Sequence, residues 1–154
     1  MARDPYGQWT GTPMDDADVD ALLESNGWGV LALADDDEPY SIPISFGYDG
    51  QDVYFSFLRT GGASRKSTFI ADGKTARLLV TTVRARFDWQ SVAVTGPVAS
   101  IDSHGDDWET LVGLLERNPW FSSAFEDAED VEGIRGWRLA PTSVHGVEVR
   151  PGRD

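Results

Sequence analysis

Apolar residues recur at helical spacing in a few short stretches of the chain and at alternate positions through most of the rest. Val19, Leu22 and Leu23 follow Asp15, Asp16, Asp18 and Asp20 and precede Asn26-Gly27. This pattern predicts a short helix with acids near its positive N-terminus and a glycine stop. A second helical pattern, Trp108, Leu111, Val112, Leu114 and Leu115, lies within Asp106 to Arg117 and stops before Asn118-Pro119. WGVLALA, 28 to 34, is a nearly continuous apolar run closed by DDDE, which predicts a mostly buried strand. YSIPISFGY, 40 to 48, alternates, placing Ile42, Ile44 and Phe46 on one face, and Pro43, lacking an N–H, marks an edge or a bulge. Asp49-Gly50 signals a tight turn and DVYFSF alternates again, giving a hairpin. TARLLVTTV, 75 to 83, and QSVAVTGPVASI, 90 to 101, form another antiparallel pair, bent where Gly96-Pro97 interrupts the second strand. GWRLAPTSVHGVEV, 136 to 149, supplies a final strand. Five or six strands, mostly hairpin-connected, predict a mainly β chain: an antiparallel barrel with helical additions, one domain over 1–154 with its core at about 14–149.

Composition sharpens the functional limits. The chain has 154 residues, 40% of them hydrophobic, enough for one core that buries roughly two thirds of the unfolded surface. Its apolar runs are shorter than the roughly 20 residues of a membrane helix, and MARDPYGQW lacks a signal-like apolar stretch, so a soluble, cytoplasmic protein is expected. The absence of cysteine excludes disulfides, thiolate metal sites and cysteine nucleophiles. Acidic residues outnumber basic ones 26 to 13, and the lysines are Lys66 and Lys74. This profile resembles that of cytoplasmic proteins of salt-loving microbes, whose charged surfaces repel one another and are screened at high salt. It also repels phosphodiester backbones, so no nucleic-acid partner is expected. No metal site is expected either: His104 and His145 lack partners at ligand spacing, and the acid clusters at 15–20, 35–38 and 126–132 lack the DxDxDG pattern. Nucleophilic hydrolysis lacks a GxSxG elbow.

Positive charge is concentrated. Between Val53 and Phe87 lie Arg59, Arg65, Lys66, Lys74, Arg77, Arg84 and Arg86 against one acid, Asp72. Such a cluster either pairs with acidic surface elsewhere or forms a local anion site. Within it, FLRTGGASRKSTF, 57 to 69, joins two adjacent glycines to three cations and precedes a short helix expected from about Ser64 to Ala71. A phosphate monoester carries about −1.5 to −2 charges and three acceptor oxygens. Ser64 at a helix start offers a hydroxyl and nearby backbone N–H groups; Arg65 supplies a bidentate fork, Lys66 a movable charge, and Gly61 and Gly62 allow close approach.

PYSIPISFGYDGQDVYFSFLRTGGASRK resembles the signature of the pyridoxamine-phosphate-oxidase-like FMN-binding split barrels, six-stranded antiparallel barrels with a Gly-rich loop and Ser-Arg-Lys after an aromatic strand. The resemblance runs over about residues 14 to 102, with the V-x-V-x-G piece at Val92, Val94 and Gly96 and weaker support from WRLAP. It implies that Ser64, Arg65 and Lys66 grip the FMN phosphate, and that Ser41, Ile42, Pro43 and Ile44 border the flavin ring through backbone groups. It also implies that Ser56 lies near the phosphate and ribityl chain, and that Gln90 or Ser91 takes the place of a glutamine touching the ring. The implied assembly is a homodimer with FMN between the chains, and the implied activity moves electrons from a reduced nicotinamide to a small acceptor. A deazaflavin or haem split barrel and a non-catalytic flavin-binding protein are the alternatives. Ser41 or Ile42 and Phe46 stand where the true oxidase has Arg and Lys, and SVHGVEVRPGRD lacks its Trp-Gln-Gly and Arg-Leu-His-Asp-Arg segments, which argues against pyridoxamine-phosphate oxidation. Ser56 replaces the His of the nitroimidazole-reductase-like branch. Trp120 and Phe121 are the aromatic pair expected near a substrate pocket.

Overall fold

The alternating segments form strands whose apolar faces turn towards a shared interior. The computed structural model describes residues 10–58, 69–119 and 134–151. In chain order these give β1 (Thr12–Pro13), α1 (Asp16–Asn26), β2 (Trp28–Asp35), β3 (Glu38–Tyr48), β4 (Val53–Leu58), β5 (Thr75–Ala85), β6 (Asp88–Ile101), α2 (Asp106–Glu116), β7 (Ile134–Leu139) and β8 (Ser143–Val149). Among them, β6, β5, β2, β3, β4 and β7 pair in sequence, and β7 pairs back onto β6. The result is the expected closed six-stranded antiparallel barrel. β8 and then β1 extend the sheet from the other edge of β6.

The interior holds Leu31 and Leu33 of β2, Ile44 and Phe46 of β3, Val53 and Phe55 of β4, Leu78 and Val80 of β5, Val92, Val94 and Val98 of β6, and Trp137 and Leu139 of β7, all buried. Each fully buried side chain of this size stabilises the fold by roughly 1.5 to 3 kcal/mol relative to exposure. Helix α1 adds Val19, Leu22 and Leu23 to the same core. It ends at Gly27, whose φ of 73° favours glycine.

Helix α2 instead covers the outside of the barrel, packing Leu111 and Leu115 on Tyr54 with Trp108, Leu114 and Ile101 around them. A Cβ at Gly136 would lie 2.6 Å from Leu111 Cδ2, and one at Gly47 would overlap Leu114, so glycines set how closely this helix approaches. Arg138 Nη1 donates to Asp107 Oδ2 at 3.2 Å and draws the helix start onto β7. Burial pushes the Asp52 carboxyl up, and the nearby Arg138 guanidinium opposes that shift. At the far end of α2, the buried Asn118 Nδ2 donates to the carbonyls of Gly27 (2.6 Å) and Phe46 (3.0 Å), tying the helix to the start of β2 and to β3. Asn118→Ala leaves both carbonyls without this donor, and we expect a loss of about 1 to 3 kcal/mol in denaturant unfolding.

The sequence pattern is corrected at the C-terminus, where 136–149 is not one strand. β7 ends at Leu139 and β8 begins at Ser143, because Ala140-Pro141-Thr142 crosses over Gly96. A Cβ at Gly96 would overlap the Ala140 carbonyl oxygen. Ala140 N–H donates to Pro97 O and Thr142 N–H to Thr95 O. The predicted bend at Gly96-Pro97 is therefore where β6 changes neighbours, from β8 over Trp89–Thr95 to β7 over Val98–Ile101. No helix of the described residues is long and apolar enough to cross a membrane.

Candidate functional site

β3 has two partners, and the candidate site lies where they part. It pairs with β2 from Glu38 to Ser45 but with β4 only over Phe46–Tyr48. Phe46 N–H donates to Gly27 O at 3.0 Å, and ladder bonds alternate in direction along an antiparallel strand. The even-numbered residues of β3 therefore direct their backbone groups to β2, whereas Ser41 and Pro43 direct theirs to the opposite edge. That edge has no strand partner before Ser45 among the described residues. Pro43 falls where its missing N–H costs no ladder bond, as its place in the sequence predicts.

Across the opening lies Ser56, one residue past the last β3–β4 pair and matched to Gly136 of β7. The chain leaves the described region at Leu58 and re-enters at Phe69, which is buried and stacked on Tyr40 with ring centroids 4.8 Å apart. The chain thus leaves β4 at Leu58, paired with Ile134 of β7, and returns at Phe69 against Tyr40 of β3. Ser64, Arg65 and Lys66 lie outside the described residues, as do Trp120 and Phe121.

The remaining predicted positions divide by face. Ile42 and Ile44 turn their side chains into the barrel, and Ser41 and Pro43 turn theirs out. Gln90 also points inward, donating to Glu148 Oε2 at 3.0 Å; the same buried carboxylate accepts from Arg150 Nε at 2.8 Å, and Arg150 reaches Asp18 at 2.9 Å. This network secures α1 and β8 to β6. Ser91 faces outward and shares a 3.1 Å hydrogen bond with Thr81.

The outward face of β3, β2, β5, β6 and β8 is continuous. One row reads Ser41, Ala32, Arg77, Thr95 and Ser143; the next reads Pro43, Val30, Leu79, Ala93 and His145; a third reaches Trp28, Thr81, Ser91 and Val147. No described element covers the rows named here, whereas α2 packs over β4, β7 and the Gly47 end of β3. Trp28 is 43% exposed, Leu79 42% and Val147 37%. These rows contain no carboxylate, although acids make up 26 of the 154 residues. The paired-stripe reading of the cations holds in part: Lys74 meets Asp35 at 3.6 Å and Arg84 meets Asp88 at 3.5 Å, but Arg77 has no carboxylate partner among the described residues.

Chemically, the arrangement offers a carboxylate-free wall of mixed apolar and hydroxyl side chains, ending at a β3 edge whose backbone groups have no strand partner among the described residues. It fits a flat, partly polar ring that hydrogen-bonds at its rim. Sequence reading found the edge through Pro43, but not the extent of the wall, whose signal is the outward parity of Trp28, Leu79, Ser91 and Val147.

The profile of the pyridoxamine 5'-phosphate oxidase family matches residues 15–148. No curated protein sequence matches the chain. Among solved structures, a FAD-binding protein from Mesorhizobium loti superposes with a TM-score of 0.70 at 18% identity, covering 89% of this chain and 96% of that one. The FAD-binding protein of Mycobacterium smegmatis gives 0.69 at 18% identity, with 92% and 100% covered. A FAD- and haem-binding protein of Mycobacterium smegmatis gives 0.67 at 21% identity, with 91% and 74% covered. These likenesses identify the fold as the split barrel.

Proposed function

The chain belongs to the pyridoxamine 5'-phosphate oxidase family, and on that premise we propose that it binds FMN in a groove between two copies of itself and works as an FMN-dependent oxidoreductase. The observation that carries the reading is the β3 edge at Ser41 and Pro43, without a strand partner among the described residues and set on a carboxylate-free face of a chain with formal charge −13. The flavin-binding proteins of the same fold support it.

Each part of the chain has a task in this reading. Backbone groups of Ser41 and Pro43 orient the ring at its polar rim. Ser64, Arg65 and Lys66 hold the phosphate; the segment that carries them rejoins the described chain at Phe69, which stacks on Tyr40 of β3. The outward rows through Trp28, Leu79 and Val147 meet their counterparts on a second copy and keep water from the groove. Two strongly anionic protomers repel, and a contact face free of carboxylates removes the short-range share of that repulsion. When bound, FMN supplies hydride exchange at its N5, linking a reduced nicotinamide donor to a small acceptor.

The test is the visible spectrum of the purified protein. Two flavin absorption bands, bleached on adding NADH, are expected. Flavin bands without bleaching reduce the proposal to flavin binding, and colourless protein that also fails to take up added FMN overturns it. Haem is the second reading, favoured by His145, an exposed imidazole on the same carboxylate-free face; a Soret band in place of the flavin pair selects it.

A further inference from the structure

Arg77 stands apart from the other cations of the described residues. Lys74, Arg84, Arg138 and Arg150 each meet a carboxylate. Arg86 lies over the Phe87 ring and Arg135 over that of Trp137, while Arg117 stands at the C-terminal end of α2, where the helix dipole favours a cation. Arg77 has no such partner among the described residues, although it is exposed on a molecule rich in acids. Its cross-strand neighbours are Ala32 and Thr95, and beyond them lie Ser41 and Ser143. Ser41 is two strand spacings away, about 10 Å, with nothing larger than Ala32 between. The guanidinium therefore has a clear path along the wall to the β3 edge.

We infer that Arg77 anchors an anionic group, a carboxylate or a phosphate, on the small molecule that exchanges electrons in the groove. The inference rests on the dimer-and-flavin reading above and follows from its symmetry. A two-fold contact presents the same residues from both sides. The described rows of this face carry no carboxylate, so they cannot neutralise Arg77 of the opposite copy. A guanidinium buried without a counter-charge is costly. An oxyanion entering with the ligand removes that cost, and the planar fork of arginine binds one through two parallel hydrogen bonds. The cofactor's phosphate is assigned to Ser64, Arg65 and Lys66, so the anion at Arg77 belongs to the substrate. The same charge offsets the field of a chain at −13, which would otherwise repel an anionic substrate.

Benzoate and phenyl phosphate serve as probes, titrated into the FMN-loaded protein at constant high ionic strength. Binding is read by perturbation of the flavin bands and, separately, by the rise in Tm. Saturable binding of at least one probe is expected, and the preferred one distinguishes a carboxylate from a phosphate ligand. Arg77→Ala should weaken it about ten- to a hundredfold with flavin content and dimer unchanged, and Arg77→Lys should retain part of it. Equal affinity in Arg77→Ala, no probe binding to the parent protein, or dissociation of the dimer on substitution each overturns the assignment; the last places a partner carboxylate, such as one from the 35–38 turn, on Arg77. If the protein holds no flavin, the proposed function fails by itself. Probe-dependent stabilisation that disappears in Arg77→Ala would still establish the anion site.

Discussion

The Arg65→Ala/Lys66→Ala double variant is expected to purify colourless and to fail to retain added FMN, while its far-UV circular dichroism and unfolding midpoint stay close to those of the parent. Each charge-assisted hydrogen bond lost weakens binding by roughly 1.5 to 3 kcal/mol. Two such losses raise the dissociation constant by about two to four orders of magnitude. The fold should tolerate the change because the segment between Leu58 and Phe69 connects elements whose contacts are made elsewhere: β4 pairs with β3 and β7, and Phe69 stacks on Tyr40. Fluorescence titration of added FMN measures the effect directly. Retention of FMN at parental affinity would return these cations to surface pairing, the role that Lys74 and Arg84 already have.

The barrel was legible in the chain because period-two alternation and punctuation agreed. Asp49-Gly50 between two alternating runs, and Gly96-Pro97 inside a third, are local signals of a turn and a bend, and both act as read. The error at 136–149 has a tertiary cause. Ala140-Pro141 looks like a tolerable interruption until Gly96, more than forty residues earlier, is seen to make room for the crossing. The helix at 106–117 was evident from its periodicity, but its placement outside the barrel depends on Gly47 and Gly136, which the pattern does not connect to it. The candidate site shows the same division. Pro43 marked an open edge through its own chemistry, whereas Gln90 and Ser91 were indistinguishable in sequence. In the structure they take opposite faces, and Gln90 is committed to the buried Glu148. Arg77 gave no signal beyond its membership of a basic segment, because its lack of a partner among the described residues is a property of the cross-strand rows rather than of its neighbours in sequence.

Leu79→Glu is the sharpest test of the acid-free face. Leu79 is 42% exposed in the protomer, so the fold should change by no more than about 0.5 kcal/mol. In a two-fold contact the substitution places a carboxylate from each copy in apolar surroundings, facing a surface with no other carboxylate to displace and repelled by its symmetry mate. At about 3 kcal/mol or more for each desolvated charge, the dimer dissociation constant should rise on the order of 10⁴-fold. Size-exclusion chromatography with light scattering should then report a dimer for the parent and, at the same concentration, a monomer for the variant. Flavin should be lost with the dimer, because in the proposed assembly each protomer supplies only one wall of the groove. Salt provides an independent check. The Debye length falls from about 10 Å at 0.1 M to about 3 Å at 1 M, so protomers of formal charge −13 should associate more tightly in the parent as salt rises. The Leu79→Glu variant should recover little, since its penalty is desolvation rather than long-range repulsion. A variant that remains dimeric and yellow at low salt would place the subunit contact, and the cofactor with it, on another surface.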